Sequence, residues 1–323
     1  MSGPSHVFLV ISKLIIRNIR VNYISKRCRR CVPRHFRQQS NMPPKRKNVP
    51  SKKDEKESAK TKKKTKISDS KKGAKVKTSE PPPHKDESTK IASSNLDLLH
   101  YLTEESWRSL LKEEFSKDYF KNLTAQLSRD YAAEKEIFPP RELIFNALNA
   151  APVDKVKIVI LGQDPYHDNG QAMGMAFSVP RDFQPVPPSL KNMYKELAVD
   201  IPGFQIPSHG SLETWAQRGV LLLNATLTVE AHQPNSHSKY GWQKFTDSVI
   251  THISQDCRGV VFILWGGFAQ KKEKLIDDSK HCVIKAAHPS PLSFNKFFGC
   301  KCFSKANDAL VKMGRDPVNW SIV

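Results

Sequence analysis

Polar or flexible residues follow four short apolar segments of this 323-residue chain. They are Gln163 and Asp164 after residues 156–161, Asn224 after residues 220–223, Gly266 and Gly267 after residues 260–265, and His288, Pro289 and Ser290 after residues 283–287. A carboxylate, an amide and an imidazole can stabilise charge on a bound ligand and hydrogen bond to it. These residues indicate a polar site, provided that the fold brings them together.

The four apolar segments are predicted to be strands of one parallel sheet. Helical spacers separate them, and this alternation is typical of βαβ units. Because open α/β sheets bind ligands at the carboxyl ends of their strands, the residues that follow each strand should lie close together. The predicted fold class is α/β: a single domain with a central four-stranded parallel twisted sheet flanked by helices, preceded by a disordered basic tail.

Each polar residue also has a purely structural explanation. Asp164 could cap an Asp-Pro turn, Asn224 could satisfy a turn, and His288 could be a buried imidazole with satisfied hydrogen bonds. Pro165 fixes its own φ and keeps Asp164 out of the helical region, so Asp164 and Tyr166 are predicted to lie on a stiff loop. The occurrence of all these residue types after strands favours the functional interpretation.

Three helices are predicted before the first strand. Apolar residues at helical spacing predict a helix from residue 96 to about residue 119, with Ser94 or Asn95 as its cap. A second helix is expected over residues 119–134, and a third over residues 142–149, after two prolines. The folded domain is therefore predicted to span residues 95–323.

The basic excess of the chain lies in its first 90 residues, which contain 26 Lys and Arg against 7 Asp and Glu. Residues 91–323 contain 26 against 25. Residues 59–90 are mostly Lys, Ser, Thr and Pro, which offer almost nothing to bury, so this segment is predicted to be disordered. Such a tail is typical of a solvated arm or a localisation signal, with non-specific binding to nucleic-acid phosphates as the alternative.

Two targeting signals are predicted within the tail. Residues 1–41 lack acidic side chains, and residues 7–20 are mostly apolar with interspersed Lys and Arg, which is typical of a mitochondrial transit helix. This segment is too short and too charged to span a bilayer, and no cleavage site of the secretory type follows it. Residues 42–94 form a basic linker that opens on Met42 with a nuclear-type Pro-Pro-Lys-Arg-Lys cluster. We predict localisation to the nucleus and the mitochondrion, without a membrane association.

The six cysteines are scattered along the chain. Cys28 and Cys31 form a lone CxxC, which is weak evidence for zinc, and the others have no ligand spacing. We interpret them as free thiols of a reducing compartment.

Five segments resemble motifs of the family 1 uracil-DNA glycosylases, in the order of that family. They are GQDPYH at residues 162–167, GMAFSV at 174–179, PVPPSL at 185–190, LLLNA at 221–225 and HPSPLS at 288–293. The resemblance covers roughly residues 96–323. It implies a monofunctional, monomeric repair enzyme that excises uracil from single- or double-stranded DNA without a metal or cofactor. Replication or repair proteins are candidate partners of the tail.

The resemblance also implies a role for each site residue. Asp164 and His288 are the expected catalytic residues: Asp164 stabilises the sugar cation and orients a water molecule, and His288 hydrogen bonds to uracil O2. The expected substrate-binding residues are Gln163, Tyr166, Phe177 and Asn224. The expected DNA-binding residues are Pro187, Ser189, Gly266, Gly267, Ser290 and Leu292. Leu292 would enter the base stack as a wedge, and its alternative is a loop residue folded into the core.

Three features depart from the pattern of the family. Met173 stands where a His is expected, Gly267 replaces a Ser, and the segment after Leu292 is one residue short, with Lys296 near an expected Arg. These differences are expected to affect phosphate contacts and DNA affinity rather than the chemistry.

The residues leave two other functions open. A metal-dependent nuclease or phosphoesterase could use Asp164, His167, Asp168 and His288, and a chelator would then abolish its activity. A non-catalytic nucleic-acid-binding protein with a degenerate site is the other alternative. A lyase step would need a lysine nucleophile in the pocket, for which Lys285 is the nearest candidate.

Overall fold

A four-stranded parallel sheet lies at the centre of the computed structural model, which describes residues 96–323. The strands are β1 (Ile137–Phe138), β2 (Ile158–Gly162), β3 (Val220–Asn224), β4 (Val229–Glu230), β5 (Val261–Trp265) and β6 (Cys282–Ala286). The central sheet has the order β3-β2-β5-β6, and β1 pairs with β4 in a separate antiparallel ribbon. The four strands predicted from the sequence are confirmed, with bounds shifted by at most two residues.

The expectations for residues 1–95 lie outside the described residues. They comprise the transit segment, the basic linker, the cap at Ser94 or Asn95, and the state of Cys28 and Cys31.

Three strands of the central sheet are buried, whereas the edge strand β6 is only partly covered. Every residue of β2, β3 and β5 is buried, as expected for aliphatic strands of a parallel sheet. The register pairs Gly162 at the end of β2 with Asn224 at the end of β3. It also pairs Trp265 at the end of β5 with Ala286 at the end of β6. The polar residues after β2 and β3 therefore leave the sheet at the same level.

Nine α-helices are present within residues 96–323. They are α1 (Glu105–Leu110), α2 (Asp118–Ala132), α3 (Asn146–Asn149), α4 (Pro188–Asp200), α5 (Glu213–Gln217), α6 (Trp242–Asp256), α7 (Gly266–Gln270), α8 (Phe294–Phe297) and α9 (Cys302–Lys312). Short 3₁₀ turns occupy Leu98–Tyr101, Glu114–Ser116, Arg141–Leu143, Val153–Lys155, Lys271–Leu275 and Pro291–Ser293. In this part of the chain, no helix is long and apolar enough to cross a membrane.

The prediction of one continuous helix over residues 96–119 is wrong. This segment forms a 3₁₀ turn, α1 and a second 3₁₀ turn. The side chain of Asp97 accepts from the backbone N–H of Leu99, and that of Glu104 accepts from Trp107, so a new helix starts at each point. Arg108 then donates to the carbonyl of Leu102 at 2.7 Å, which holds the turn between them. The apolar spacing correctly indicated which residues are buried, but these polar contacts interrupt the helix.

The second predicted helix is confirmed as α2. The third is shorter than predicted, because residues 141–143 form a 3₁₀ turn and only Asn146–Asn149 is α-helical.

Candidate active site

A cavity of about 270 Å³ opens beside the ends of β2 and β3. All six residues predicted to be catalytic or substrate-binding line it, and so does Ser189. The convergence expected from the strand order therefore occurs. The other predicted DNA-binding residues, Pro187, Gly266, Gly267, Ser290 and Leu292, lie outside the lining of this cavity.

The carboxylate of Asp164 is held by a loop that follows β4. Asp164 Oδ2 accepts a hydrogen bond from the backbone N–H of Asn235 at 2.8 Å. The side chain of Asn235 accepts a second one from Gln163 Nε2 at 2.6 Å. Asn235 has a φ of 64°, a left-handed conformation that Asn tolerates better than most residues. The sequence reasoning missed Asn235, and the turn-forming residues around it were the available signal.

Asn224 is buried, and its amide packs directly against the backbone of β2. A Cβ atom added to Gly162 would lie 2.1 Å from Asn224 Oδ1 and 2.9 Å from the Cβ of Ala176. Gly162 is therefore required for the amide to occupy its position. Within residues 96–323, no protein group hydrogen bonds to the side-chain amide of Asn224. Its NH₂ donor and its carbonyl acceptor are therefore both available to a ligand.

Tyr166 and Phe177 form two connected walls of the cavity. The Tyr166 hydroxyl donates to the backbone carbonyl of Phe177 at 3.2 Å, and burial raises the pKa of Tyr166, so this hydroxyl stays protonated. Phe177 has a φ of 66°, a strained conformation for an aromatic residue. Its ring packs edge-on against Trp265 at 5.3 Å. These contacts make the two aromatic walls rigid.

The hydrogen bonds of His288 determine its tautomer. The backbone N–H of Ser290 donates to His288 Nδ1 at 3.1 Å. Because a backbone N–H can only donate, Nδ1 carries no proton, and the proton of the neutral ring lies on Nε2. Burial lowers the pKa of His288 from its ordinary value of 6.5, so the ring is neutral at neutral pH. His288 therefore supplies an uncharged N–H donor to the site.

Gly266 and Gly267 have different structural requirements. Gly266 has a φ of 78°, and an added Cβ would lie 3.1 Å from the Cβ of His288. A Cβ on Gly267 would have no atom within 4 Å. The replacement of the family's Ser by Gly267 thus leaves open space at the start of α7 rather than a conflict.

The remaining predicted DNA-binding residues lie on two loops. Pro187 is buried and precedes α4, whereas Ser189 is half-buried in the first turn of that helix. Ser290 Oγ and Ser293 Oγ are 3.0 Å apart, which closes the 3₁₀ turn that contains Leu292. The side chain of Leu292 is fully exposed, so the alternative that it folds into the core is wrong.

Met173 is buried in the wall of the cavity rather than at a phosphate-facing surface. Its sulfur accepts a hydrogen bond from the Ser178 hydroxyl at 3.0 Å, and its carbonyl accepts one from Asn146. This departure from the family pattern affects packing of the cavity wall. The expectation that Met173 affects phosphate contacts has no support in its position.

The structure gives no geometric support to the lyase and metal-dependent alternatives. Lys285 lies outside the cavity lining and forms an ion pair with Glu273 at 2.9 Å. In residues 96–323, no group of three or more His, Cys, Asp or Glu side chains is placed to hold a metal ion. The four cysteines of this part of the chain, Cys257, Cys282, Cys300 and Cys302, are free thiols, as interpreted.

Comparison with known proteins identifies the family. The model of the uracil DNA glycosylase superfamily matches residues 150–311. The uracil-DNA glycosylase of Caenorhabditis elegans is 56% identical over 221 residues, which cover 68% of this chain and 78% of that protein. The chain belongs to the uracil DNA glycosylase superfamily.

Other members of the superfamily agree with this assignment. The uracil-DNA glycosylase of Dichelobacter nodosus is 51% identical over 219 residues, covering 68% of this chain and 95% of that protein. The crystal structure of mimivirus uracil-DNA glycosylase aligns with a TM-score of 0.67 at 31% identity, covering 71% of this chain and 90% of that chain. The resemblance and the α/β fold predicted from the sequence are confirmed.

Gly162→Ala should displace the Asn224 amide, because the new methyl group would occupy the position of Oδ1. Losing two hydrogen bonds to a base, worth roughly 1–3 kcal/mol each when partners are left unpaired, predicts an excision rate lowered by at least about 30-fold. Single-turnover excision from a uracil-containing oligonucleotide measures the effect. Melting temperature and affinity for abasic DNA serve as controls, and a wild-type excision rate would show that the amide does not depend on Gly162.

His288 should act as a neutral donor, so excision should not decline as pH rises from 6.5 to 8.5. The lowered pKa means that the unfolded chain protonates His288 more readily, so its contribution to stability is present above pH 6.5 and is lost as pH falls below it. Single-turnover rates across this range, with ¹⁵N NMR of the imidazole, test the prediction. A tenfold loss of rate per pH unit above 6.5 would instead indicate a protonated His288 acting as an acid.

Proposed function

We propose that this protein flips uracil out of DNA and hydrolyses its N-glycosidic bond, which releases free uracil and leaves an abasic site for base excision repair. The observation that carries the proposal is the convergence of Asp164, Asn224 and His288 on one cavity in a chain of this superfamily. Each side chain matches one requirement of the reaction.

The charges of the reaction explain the choice of Asp164 and His288. Breaking the bond between N1 and C1′ creates positive charge on the sugar and negative charge on the departing base. Glycosidases commonly use two carboxylates, but Asp164 is the only carboxylate that lines the cavity among the described residues. Uracil therefore leaves as an anion whose O2 accepts from the neutral imidazole of His288. Asp164 stabilises the sugar cation and orients the water that attacks C1′.

Base recognition follows from Asn224 and the two aromatic walls. The Asn224 carbonyl accepts from uracil N3–H, and its amino group donates to O4. Phe177 stacks on the base, with backbone N–H groups near Gln163 as further donors. Tyr166 lies against C5 and excludes the thymine methyl group. A packing preference alone is worth only about 1–3 kcal/mol, so the hydrogen bond from Tyr166 to Phe177 supports exclusion by a rigid wall.

DNA contacts are assigned to the loops beside the cavity. Ser189 and Ser290 hydrogen bond to phosphates, and Pro187, Gly266 and Gly267 shape the backbone that approaches them, which fixes position without reading sequence. Leu292 enters the space that the flipped base leaves, and its full exposure supports this role.

The tail directs the protein to its compartments and takes no part in catalysis. Residues 1–41 direct mitochondrial import, and the basic cluster after Met42 directs nuclear entry. Replication or repair proteins are the proposed partners of the tail, and the enzyme acts as a monomer.

Incubation with a uracil-containing oligonucleotide in excess chelator, followed by alkali, tests the function. We expect strand breakage only after alkali, because the enzyme leaves an abasic site and needs no metal. Asp164→Asn should bind DNA normally and lose about 100- to 1,000-fold in single-turnover rate, as when one electrostatic group of an active site is removed. Asp308→Asn, which changes an exposed carboxylate on α9, is the matched control. Activity that chelator abolishes, or breakage before alkali, would overturn the proposal.

Leu292→Ala should separate base flipping from chemistry. Extrusion from a duplex costs a few kcal/mol, so we expect a loss of about 100-fold on U·A pairs, less on U·G pairs and about threefold on single-stranded DNA. Asp164→Asn should lower all three rates by one factor, since it acts after flipping. Val311→Ala, which truncates an exposed apolar residue elsewhere, should change none of them. All rates are measured at one salt concentration. If Leu292→Ala lowered the excision rate equally on all three substrates, Leu292 would not be the wedge.

A fluorescent fusion that begins at Met42 should enter the nucleus and stay out of mitochondria, because it lacks the transit segment. The full-length fusion should reach both compartments. Mitochondrial import of the Met42 fusion would contradict the assignment of residues 1–41.

A further inference from the structure

The loop over residues 231–240 determines where the carboxylate of Asp164 points. Its Asn235 donates to Asp164 and accepts from Gln163, as described above. Asn235 is itself exposed and lies in a turn, so the orientation of its N–H depends on what anchors the rest of the loop. Catalytic groups must be held within a fraction of an ångström, which makes this anchor relevant to the reaction.

The buried side chain of His237 anchors the loop to the core. Its side chain is fully buried, and its Nδ1 lies 2.9 Å from the hydroxyl of Thr228. The same hydroxyl oxygen accepts from Trp242 Nε1 at 2.6 Å. Within residues 96–323, Nδ1 of His237 is the only protein acceptor within hydrogen-bond distance of this hydroxyl, so the Thr228 proton is donated to Nδ1. Burial lowers the pKa of His237 to about 4, which agrees with a neutral ring.

Tyr240 packs against one face of the His237 ring. The two rings stack with centroids 4.3 Å apart and planes 11° apart. The Tyr240 hydroxyl donates to Asp130 Oδ2 at 2.5 Å, and His237 Nε2 lies 3.8 Å from that same oxygen. Lys135 forms ion pairs with Asp130 at 2.9 Å and Glu230 at 3.1 Å. The His237 imidazole is therefore surrounded by Asp130 of α2, Thr228 immediately before β4 and Tyr240 two residues before α6.

Ser236 completes the connection between the anchor and the active site. Its hydroxyl accepts from the backbone N–H of Glu230 at 2.8 Å, which fixes the residue that lies between Asn235 and His237. The backbone N–H of Ser238 also donates to the Asn235 carbonyl at 3.0 Å, so Asn235 and His237 belong to one hydrogen-bonded turn and a displacement of His237 is expected to move Asn235.

We propose that His237 is a positioning residue for excision: held between Thr228 and Tyr240, it directs the Asn235 N–H at the Asp164 carboxylate. The inference rests on the proposed role of Asp164. A hydrophobic side chain could fill the same space, but it could not accept the Thr228 proton, so the polar contact is what specifies the position of the loop.

His237→Leu and His237→Asn test the proposal as a pair. His237→Leu removes the acceptor and should lower the single-turnover rate about 30-fold with KM changed less than about threefold, since misplacement by about 1 Å can cost about 100-fold in rate. His237→Asn places Oδ1 near the position of Nδ1 and should recover most of the rate. A loss confined to KM, or a rate for His237→Asn as low as that for His237→Leu in folded proteins, would overturn the inference.

A double-mutant cycle with Asp164→Asn separates positioning from general destabilisation. If His237 acts through Asp164, His237→Leu should lower the rate of Asp164→Asn by less than about twofold, because the group that it positions is already disabled. The same factor in both backgrounds would overturn the inference. Leu292→Ala acts on flipping, so it should lower the rate by the same factor in the wild-type and the Asp164→Asn background.

Tyr240→Phe provides a second cycle if His237→Leu does not fold. This substitution removes only the hydrogen bond from the Tyr240 hydroxyl to Asp130. We expect it to lower the single-turnover excision rate about tenfold in the wild-type background and to have no such effect in the Asp164→Asn background. A wild-type rate for Tyr240→Phe, or an equal loss in both backgrounds, would overturn the inference. A wild-type rate for Asp164→Asn alone would instead contradict the proposed function.

Discussion

The close approach of Asn224 to the backbone of Gly162 is the constraint on which the site depends. These two residues are paired in register at the ends of adjacent parallel strands, and a single Cβ on Gly162 would collide with the amide. Because β2 is an inner strand of the sheet, the chain after Gly162 leaves it beside β3 and delivers Asp164 next to Asn224. The missing side chain of Gly162 thus allows the Asn224 amide to lie at the strand end from which the chain continues to Asp164.

The protonation states around the cavity suit a reaction in which charge separates. His288 is neutral and donates through Nε2, Tyr166 keeps its proton, and Asp164 supplies the one carboxylate of the lining. Among the described residues, the cavity lining therefore combines one carboxylate with neutral donors. In a partly buried site such fixed groups interact more strongly than they would in water, and they need no reorganisation when charge develops.

Rigidity is concentrated in the loops that carry these groups. Phe177, Asn235 and Gly266 all have positive φ angles, and each contacts another residue of the site. For Phe177 and Asn235, such conformations persist only when the surrounding contacts over-determine them. These contacts are the ring packing of Phe177 on Trp265 and the anchor of the Asn235 loop on His237. Gly266 adopts its positive φ without strain, and its lack of a side chain lets it fit against His288. Leu292 is the opposite case, because its side chain is fully exposed.

The sequence alone determined the four strands and the residue types that follow them, because burial of aliphatic runs and the convergence of parallel strand ends depend on local pattern. Asp164, Asn224 and His288 could therefore be identified before the structure. The same local reasoning joined residues 96–119 into one helix, since periodicity reports which residues are buried and not whether side-chain caps such as Glu104 interrupt the backbone. Only the tertiary structure decided the tautomer of His288, the need for Gly162, and the bond between Asn235 and Asp164. These depend on individual atomic contacts, the last between residues 71 positions apart, for which sequence spacing carries no signal.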